Sequence, residues 1–186
     1  MDLEVIISSV YNVSCDAVLA LVSKTDLIEL PKGHVLSRAG MRDNYLYFMK
    51  RGIVRAYTVH DGREVTFWFG IEGDIVCSIR NFVEKVPSYE NIDLLEDCEF
   101  FRIHMSDLEI LFQQNIEIAN WGRAFFGKEM IKVENRLIEH QFTTASERYR
   151  SLIKNRPGLL QRVSLGVIAS YLGITQVSLS RIRARE

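Results

Sequence analysis

VSLGVIASYLGITQVSLSRIR, residues 163–183, reads as two short helices set against each other across a single glycine. Ser164 can cap the first, which runs to Tyr171 with Leu165, Ile168, Ala169 and Leu172 at helical spacing on its inner face. Gly173 supplies the turn, because a residue without Cβ reaches positive φ at little cost. Ile174 plugs the angle between the helices, Thr175 caps the second, and Leu179 and Ile182 face inward from it. Small Ala169 allows close approach, Gly173 follows it by four, and Leu179 follows Gly173 by six. That is the spacing of a helix-turn-helix.

The outward side of the second helix holds Gln176, Val177, Ser178, Ser180, Arg181 and Arg183. These side chains suit a major groove: arginine reaches guanine O6 and N7 together, glutamine pairs with adenine, and each good bidentate contact discriminates bases by roughly 1–3 kcal/mol. Arg162, Ser164, Thr175 and Ser178 are better placed for phosphates, which set register without reading sequence. Double-stranded DNA is therefore the expected partner.

The charge distribution agrees. From Gln141 onward eight basic residues (Arg148, Arg150, Lys154, Arg156, Arg162, Arg181, Arg183, Arg185) stand against Glu147 and Glu186, a net of +6. The whole-chain totals of 23 basic and 24 acidic residues then leave 15 and 22 in the first 140, a net of −7. A cationic module joined to an anionic one points the C-terminal part alone at a polyanion.

Working outward, Asn155, Arg156, Pro157 and Gly158 end a preceding helix that begins near Ser146, after a polar break at Thr143, Thr144, Ala145 and Ser146 that suits a hinge. Before the break, Phe126, Met130, Val133 and Leu137 follow at steps of four, three and four, one heptad seam, while Ile131, Ile138 and Phe142 form a second stripe. Two stripes exceed what one contact needs, so pairing with a second copy is expected. A Ser106 cap with Asp107 and Glu109 in the first turn opens this helical region.

Between Leu27 and Ile103 the pattern is different: LIEL, HVLSR, YLYFMK, IVRAYTV, EVTFWF, DIVCSI and CEFFRI are short β-rich runs punctuated by turn residues. Arg51-Gly52 and Asp61-Gly62 fall between consecutive runs, where tight hairpins are expected. The spacing predicts an antiparallel barrel or jelly roll. Apolar positions Val5, Ile6, Val10, Val18, Leu19 and Val22 predict short packing helices ahead of it. The expected division is residues 1–105 for an effector domain, 106–142 for a dimerisation helix and 143–186 for the DNA-binding module.

Several classes of function find no support. Cys15, Cys77 and Cys98 are odd in number and lack CxxC spacing, which argues against a disulfide framework, a zinc knuckle or an iron–sulfur cluster. His34, His60, His104 and His140 share no ligand spacing, so neither metal nor heme is expected, and no cofactor is assigned. GxSxG, P-loop, HExxH and the HxH of metal-binding cupins are missing, so the chain reads as a non-enzyme. No run approaches about 18 apolar residues, and Asp2 and Glu4 stand where a signal peptide would carry cations, so a cytoplasmic address without a membrane is expected.

ASERYRSLI (145–153) followed by LQRVSLGVIASYLGITQVSLSRIR (160–183), behind β runs and a long helix, resembles the Crp/Fnr family of transcription regulators, in the branch common in Bacteroidetes. The resemblance covers essentially the whole chain. It implies an α+β fold: a cyclic-nucleotide-binding-type β-roll (a double-stranded β-helix or jelly roll), a long dimerisation helix seamed by Phe126, Met130, Val133 and Leu137, and a small all-α helix-turn-helix domain. It also implies a homodimer presenting recognition helices to half-sites about one DNA turn apart, roughly 34 Å, coupled to an effector through the hinge near Thr143, and it admits RNA polymerase as a further partner. Base contacts of the family fall on Gln176, Val177 and Arg181. Val177 stands where members often place Glu, so a different target site is expected. Many members add a β-wing after the recognition helix, and no sequence follows Glu186 to form one.

Cyclic-nucleotide binders of this fold carry a cassette reading approximately FGE and then P-R-S/T-A, in which Glu holds the ribose hydroxyl and Arg the phosphate. The matching stretch here is Glu72-Gly73-Asp74-Ile75-Val76-Cys77-Ser78, with Cys77 and Ser78 at the Gly and Glu positions, and Pro87-Ser88-Tyr89-Glu90 puts Ser88 in place of Arg. A buried phosphate would go unpaired there, at a cost of several kcal/mol, with Glu90 repelling it. The expected effector pocket (Cys77, Ser78, Arg80, Ser88, Tyr89) thus takes a small molecule other than cyclic AMP, with Arg80 as the substitute anion contact. The rival reading is a ligand-sensing or protein-interaction module of the same type that does not bind DNA.

Overall fold

Strand β3 (Tyr45–Arg51) shows how the first half of the chain is built: Leu46 to Met49 are all buried, so a continuous apolar run sits between packed layers instead of alternating toward water. The computed structural model describes residues 1–185. Its other strands are β1 (Thr25–Leu30), β2 (Val35–Ser37), β4 (Val54–His60), β5 (Arg63–Gly70), β6 (Ile75–Val76), β7 (Asn91–Leu94) and β8 (Cys98–His104). They form two four-stranded sheets, ordered β1-β8-β3-β6 and β2-β7-β4-β5. β8 pairs antiparallel with β1, from Thr25↔Ile103 to Leu30↔Cys98, and with β3 on its other side. This is the β-roll that the runs predict.

The chain divides into two compact units, the first made of residues 1–56 and 69–130 and the second of residues 57–68 and the chain from Ile131. In the first unit α1 (Leu3–Val10), α2 (Cys15–Val22), α4 (Met105–Gln114) and the start of α5 (Ile116–Phe142) pack on β3 and β8. Trp121 anchors this core. Its ring lies 5.9 Å from Phe48 and stacks on Phe125, and its Nε1–H donates to the Ile7 carbonyl at 3.0 Å, so the one polar atom is satisfied. Phe126 is half buried against Phe82, at 5.1 Å.

Four local expectations are corrected. Arg51-Gly52 makes no hairpin, because β3 and β4 lie in different sheets and the pair turns the corner between them. Gly52, at φ 114°, is needed for close approach: a Cβ there would stand 2.3 Å from Cys98 Sγ. The run DIVCSI is strand only at Ile75–Val76, after which Ser78 caps α3 (Ile79–Glu84), an unforeseen helix. β7 was also unforeseen, having only Ile92 and Leu94 to mark it. Helix α4 is capped by His104, not Ser106, because β8 runs straight into it.

Asp61-Gly62 does form a hairpin turn, with φ 50° and 73° at the two positions, as a primed turn requires. In the second unit the tip of this hairpin meets the helical segment. Ser170 Oγ accepts from Thr66 N at 2.9 Å and donates to the Glu64 carbonyl at 2.8 Å, and Arg136 donates to the Phe67 carbonyl. After α5 come α6 (Ala145–Asn155), a short α7 (Leu159–Arg162), α8 (Leu165–Leu172) and α9 (Gln176–Arg183).

Candidate nucleic-acid interface

Helices α8 and α9 are bent 96° from one another across the three residues between them. Gly173 makes the turn in the left-handed region, at φ 69°, and its N–H and that of Ile174 return to the last carbonyls of α8. Ile168, Ala169 and Leu172 of α8 and Leu179 of α9 are buried and hold the angle. Thr175 caps α9, its Oγ1 accepting from Ser178 N at 3.1 Å. Ser164 occupies the N-cap position of α8 without a side-chain cap bond.

With Leu179 committed to the interior, α9 leaves Gln176, Val177, Ser180, Arg181 and Arg183 exposed, and Ser178 half buried beside its cap. Val177 is 62% exposed, which a solitary apolar side chain on a polar face does not gain by burial within the chain. Arg162, the last residue of α7, and Ser164, at the N-cap of α8, are exposed. Eight of the nine residues singled out for DNA thus lie between the α8 cap and the end of α9, and Arg162 closes the short helix before them. Thr175 and Ser178 hydroxyls also lie 3.0 Å apart, so both serve the cap.

The residues expected at an effector pocket separate by exposure. Ser78 is fully buried, its Oγ accepting from Asn81 N at 3.4 Å. Ser88 is buried, and its hydroxyl donates to the Glu90 carbonyl at 2.5 Å. Burial pushes the Cys77 thiol far above its ordinary range, with Glu129, Asp43 and Glu90 adding to the effect. Arg80 is exposed and pairs with Glu84 at 3.0 Å, and Tyr89 is exposed. Sequence reasoning passed over two polar features of this unit. Arg55 and Asp93 form a buried bidentate pair at 2.9 and 3.0 Å, while Glu90, only 5% exposed, leaves Oε2 without a hydrogen bond, as does the Ser37 hydroxyl.

Among the described residues no group of three or more His, Cys, Asp or Glu could hold a metal ion, and no single helix is long and apolar enough to cross a membrane.

Residues 27–115 match the cyclic nucleotide-binding domain family. No curated protein matches the chain by sequence. Among solved structures it is similar to FixK2 from Bradyrhizobium japonicum, with a TM-score of 0.75 at 20% identity over 87% of this chain and 83% of that one. It is similar to the c-di-GMP responsive global regulator CLP of Xanthomonas campestris, with 0.69 at 17% identity over 92% and 91%. The Thermus thermophilus catabolite activator protein gives 0.60 at 18% identity over 94% and 84%. A structure described as a transcriptional regulator of the Crp/Fnr family from Eubacterium rectale is similar at a TM-score of 0.74 and 15% identity over 93% of this chain and 83% of that one.

Proposed function

Residues 27–115 belong to the cyclic nucleotide-binding domain family and the chain has the fold of Crp/Fnr regulators, and from this premise we propose that it is a sequence-specific DNA-binding transcription regulator and not an enzyme. The observation that carries this is α9: a capped helix, set 96° from its partner, exposing Gln176, Val177 and Arg181 in the cationic C-terminal part of the chain. Gln176 and Arg181 supply bidentate contacts to base edges, Val177 meets a thymine methyl, and Ser180 and Arg183 extend the same face. Arg162, Ser164, Thr175 and Ser178 hold the backbone.

In this reading residues 1–105 receive the effector, 106–142 pair two copies, and 143–186 bind DNA. The α5 stripe supports pairing, since Met130 is 69% and Leu137 57% exposed on a helix whose buried residues all lie before them. The effector differs from cyclic AMP, because Ser88 replaces the guanidinium and Glu90 beside it is buried with an unpaired oxygen. Calorimetry is expected to show no submicromolar binding of cyclic AMP or cyclic GMP.

The test of DNA reading is selection of bound duplexes from a random library, followed by two variants. Arg181→Ala is expected to relax preference at one position by about 1–3 kcal/mol, whereas Arg162→Ala weakens all sequences about equally and lowers the salt slope by about one. A purified protein with no preference among duplexes at low ionic strength, with or without cell extract to supply an activator, ends the proposal.

A further inference from the structure

Two buried oxygens of the first unit have no hydrogen-bond partner: Glu90 Oε2 and Ser37 Oγ, on residues only 5% and 3% exposed. They belong to adjacent stretches of chain. Ser37 pairs across from Ile92, Ala39 N–H donates to Asn91 Oδ1 at 3.1 Å, Gly40 N–H donates to the Ser88 carbonyl, and Ser88 N–H donates to the Met41 carbonyl. Residues 37–41 therefore run antiparallel beside 88–92. Glu90 and Ile92 are buried and alternate with half-buried Asn91, which makes Glu90 the diagonal neighbour of Ser37 on one face.

That face looks across the roll. Glu90 adjoins β7 in one sheet, whereas Cys77 follows β6 in the other, and the Cys77 thiol is raised by burial first and then by the charges of Glu129, Asp43 and Glu90. The space between the sheets is thus negative. Cations of this unit are engaged elsewhere: Arg55 is forked onto Asp93 at 2.9 and 3.0 Å, and exposed Arg80 pairs with Glu84. A carboxylate oxygen and a hydroxyl buried without partners oppose folding, and such groups persist in folded chains where a ligand completes them.

We infer that the inner face of the roll at Ser37 and Glu90 binds a small organic cation carrying N–H donors, an amine or amidine, with Glu90 as its counter-ion and Ser37 as a second acceptor. An N–H-bearing cation supplies both a charge for the carboxylate and donors for two acceptors. An anion would be repelled by Glu90. A chelated metal ion is a poorer match, since no group of three or more His, Cys, Asp or Glu suited to one stands among the described residues. The inference rests on the reading of residues 1–105 as the part that receives the effector, and it names the class of that effector.

The experiment titrates methylguanidinium and its uncharged near-isostere methylurea into the full chain without DNA, at constant ionic strength, and follows the amide resonances of Ser37 and Glu90. Methylguanidinium is expected to shift both saturably and to bind at least about tenfold more tightly than methylurea. Glu90→Gln keeps the shape and removes the charge. It should abolish that preference and raise the denaturation midpoint of the ligand-free protein, because an unpaired buried charge is gone. Ser37→Ala should weaken methylguanidinium about fivefold. If Glu90→Gln fails to fold, the Ser37→Ala affinity and the wild-type shifts decide instead. No saturable shift at Ser37 and Glu90 up to tens of millimolar, roughly the weakest binding expected of so small a probe, overturns the inference, as does equal affinity for the two probes. Shifts confined to exposed carboxylates, or a lowered midpoint in Glu90→Gln with its preference intact, overturn it as well. Sequence selection by α9 is measured separately, so a failure here and a failure of DNA reading are told apart.

Discussion

Asp43 shows how one side chain makes stability depend on pH. Burial pushes its carboxyl up to about 6, against the lowering effect of hydrogen bonds from Tyr45 N at 3.2 Å and the Tyr47 hydroxyl at 3.3 Å. A carboxyl whose folded value lies above its unfolded value favours folding when protonated. That contribution is complete below about pH 4 and is lost as pH rises through about 6. The first unit is therefore expected to lose about 1–2 kcal/mol over this window, discounting for partial solvent access. Asp43→Asn keeps an acceptor for both donors and removes the charge. Its denaturation midpoint should stay flat over the same range, and a variant that kept the full slope would assign the pH dependence elsewhere.

At the scale of elements, the joint between α5 and α6 is held by a capping box. Thr144 Oγ1 accepts from Glu147 N at 3.3 Å, and Glu147 Oε2 accepts from Thr144 N at 2.7 Å, which satisfies two donors that a helix start leaves open. Thr144→Ala is expected to cost about 1 kcal/mol, concentrated in α6 and visible as faster amide exchange in its first turn. Unchanged protection there would mean that Arg148, bonded to the Thr143 carbonyl, holds the joint alone. The box was legible beforehand only as a polar break, because TTASE reads equally as a loop or a cap until α6 is seen to start at Ala145. Gly52 and Gly173 make a similar contrast: the second sits between two periodic helices and announces a turn, while the first becomes a sheet-crossing corner only once Cys98 is found beside it.

For the whole molecule, the proposed regulator stands or falls with pairing, since half-sites are read by two copies. Met130, Val133 and Leu137 lie on one exposed side of α5, away from Trp121 and Phe125 in the core. The double variant Met130→Glu, Leu137→Glu is expected to remain folded and sediment as a monomer, with DNA affinity reduced at least about a hundredfold. A dimer that persisted would place the contact elsewhere. The helix-turn-helix geometry was legible because its caps, turn glycine and inward residues are marked by local chemistry, and the exposed apolar stripe of α5 because heptad spacing survives in any helix. Of the expected effector residues, Ser78 caps α3, Ser88 donates to the Glu90 carbonyl and Arg80 pairs with Glu84.

The sequence by itself determined the local order of the chain: β runs, then a long helix, then two helices across Gly173 with a basic outer face. Caps, turn glycines and apolar periods act over a few residues, so they can be read in a short window. Only the tertiary structure decided which strands pair, as in Thr25 with Ile103, and which distant groups gather, as Arg136, Arg148 and Arg156 do around His140. Those outcomes depend on closing long loops and on shared burial, which no short stretch of residues encodes.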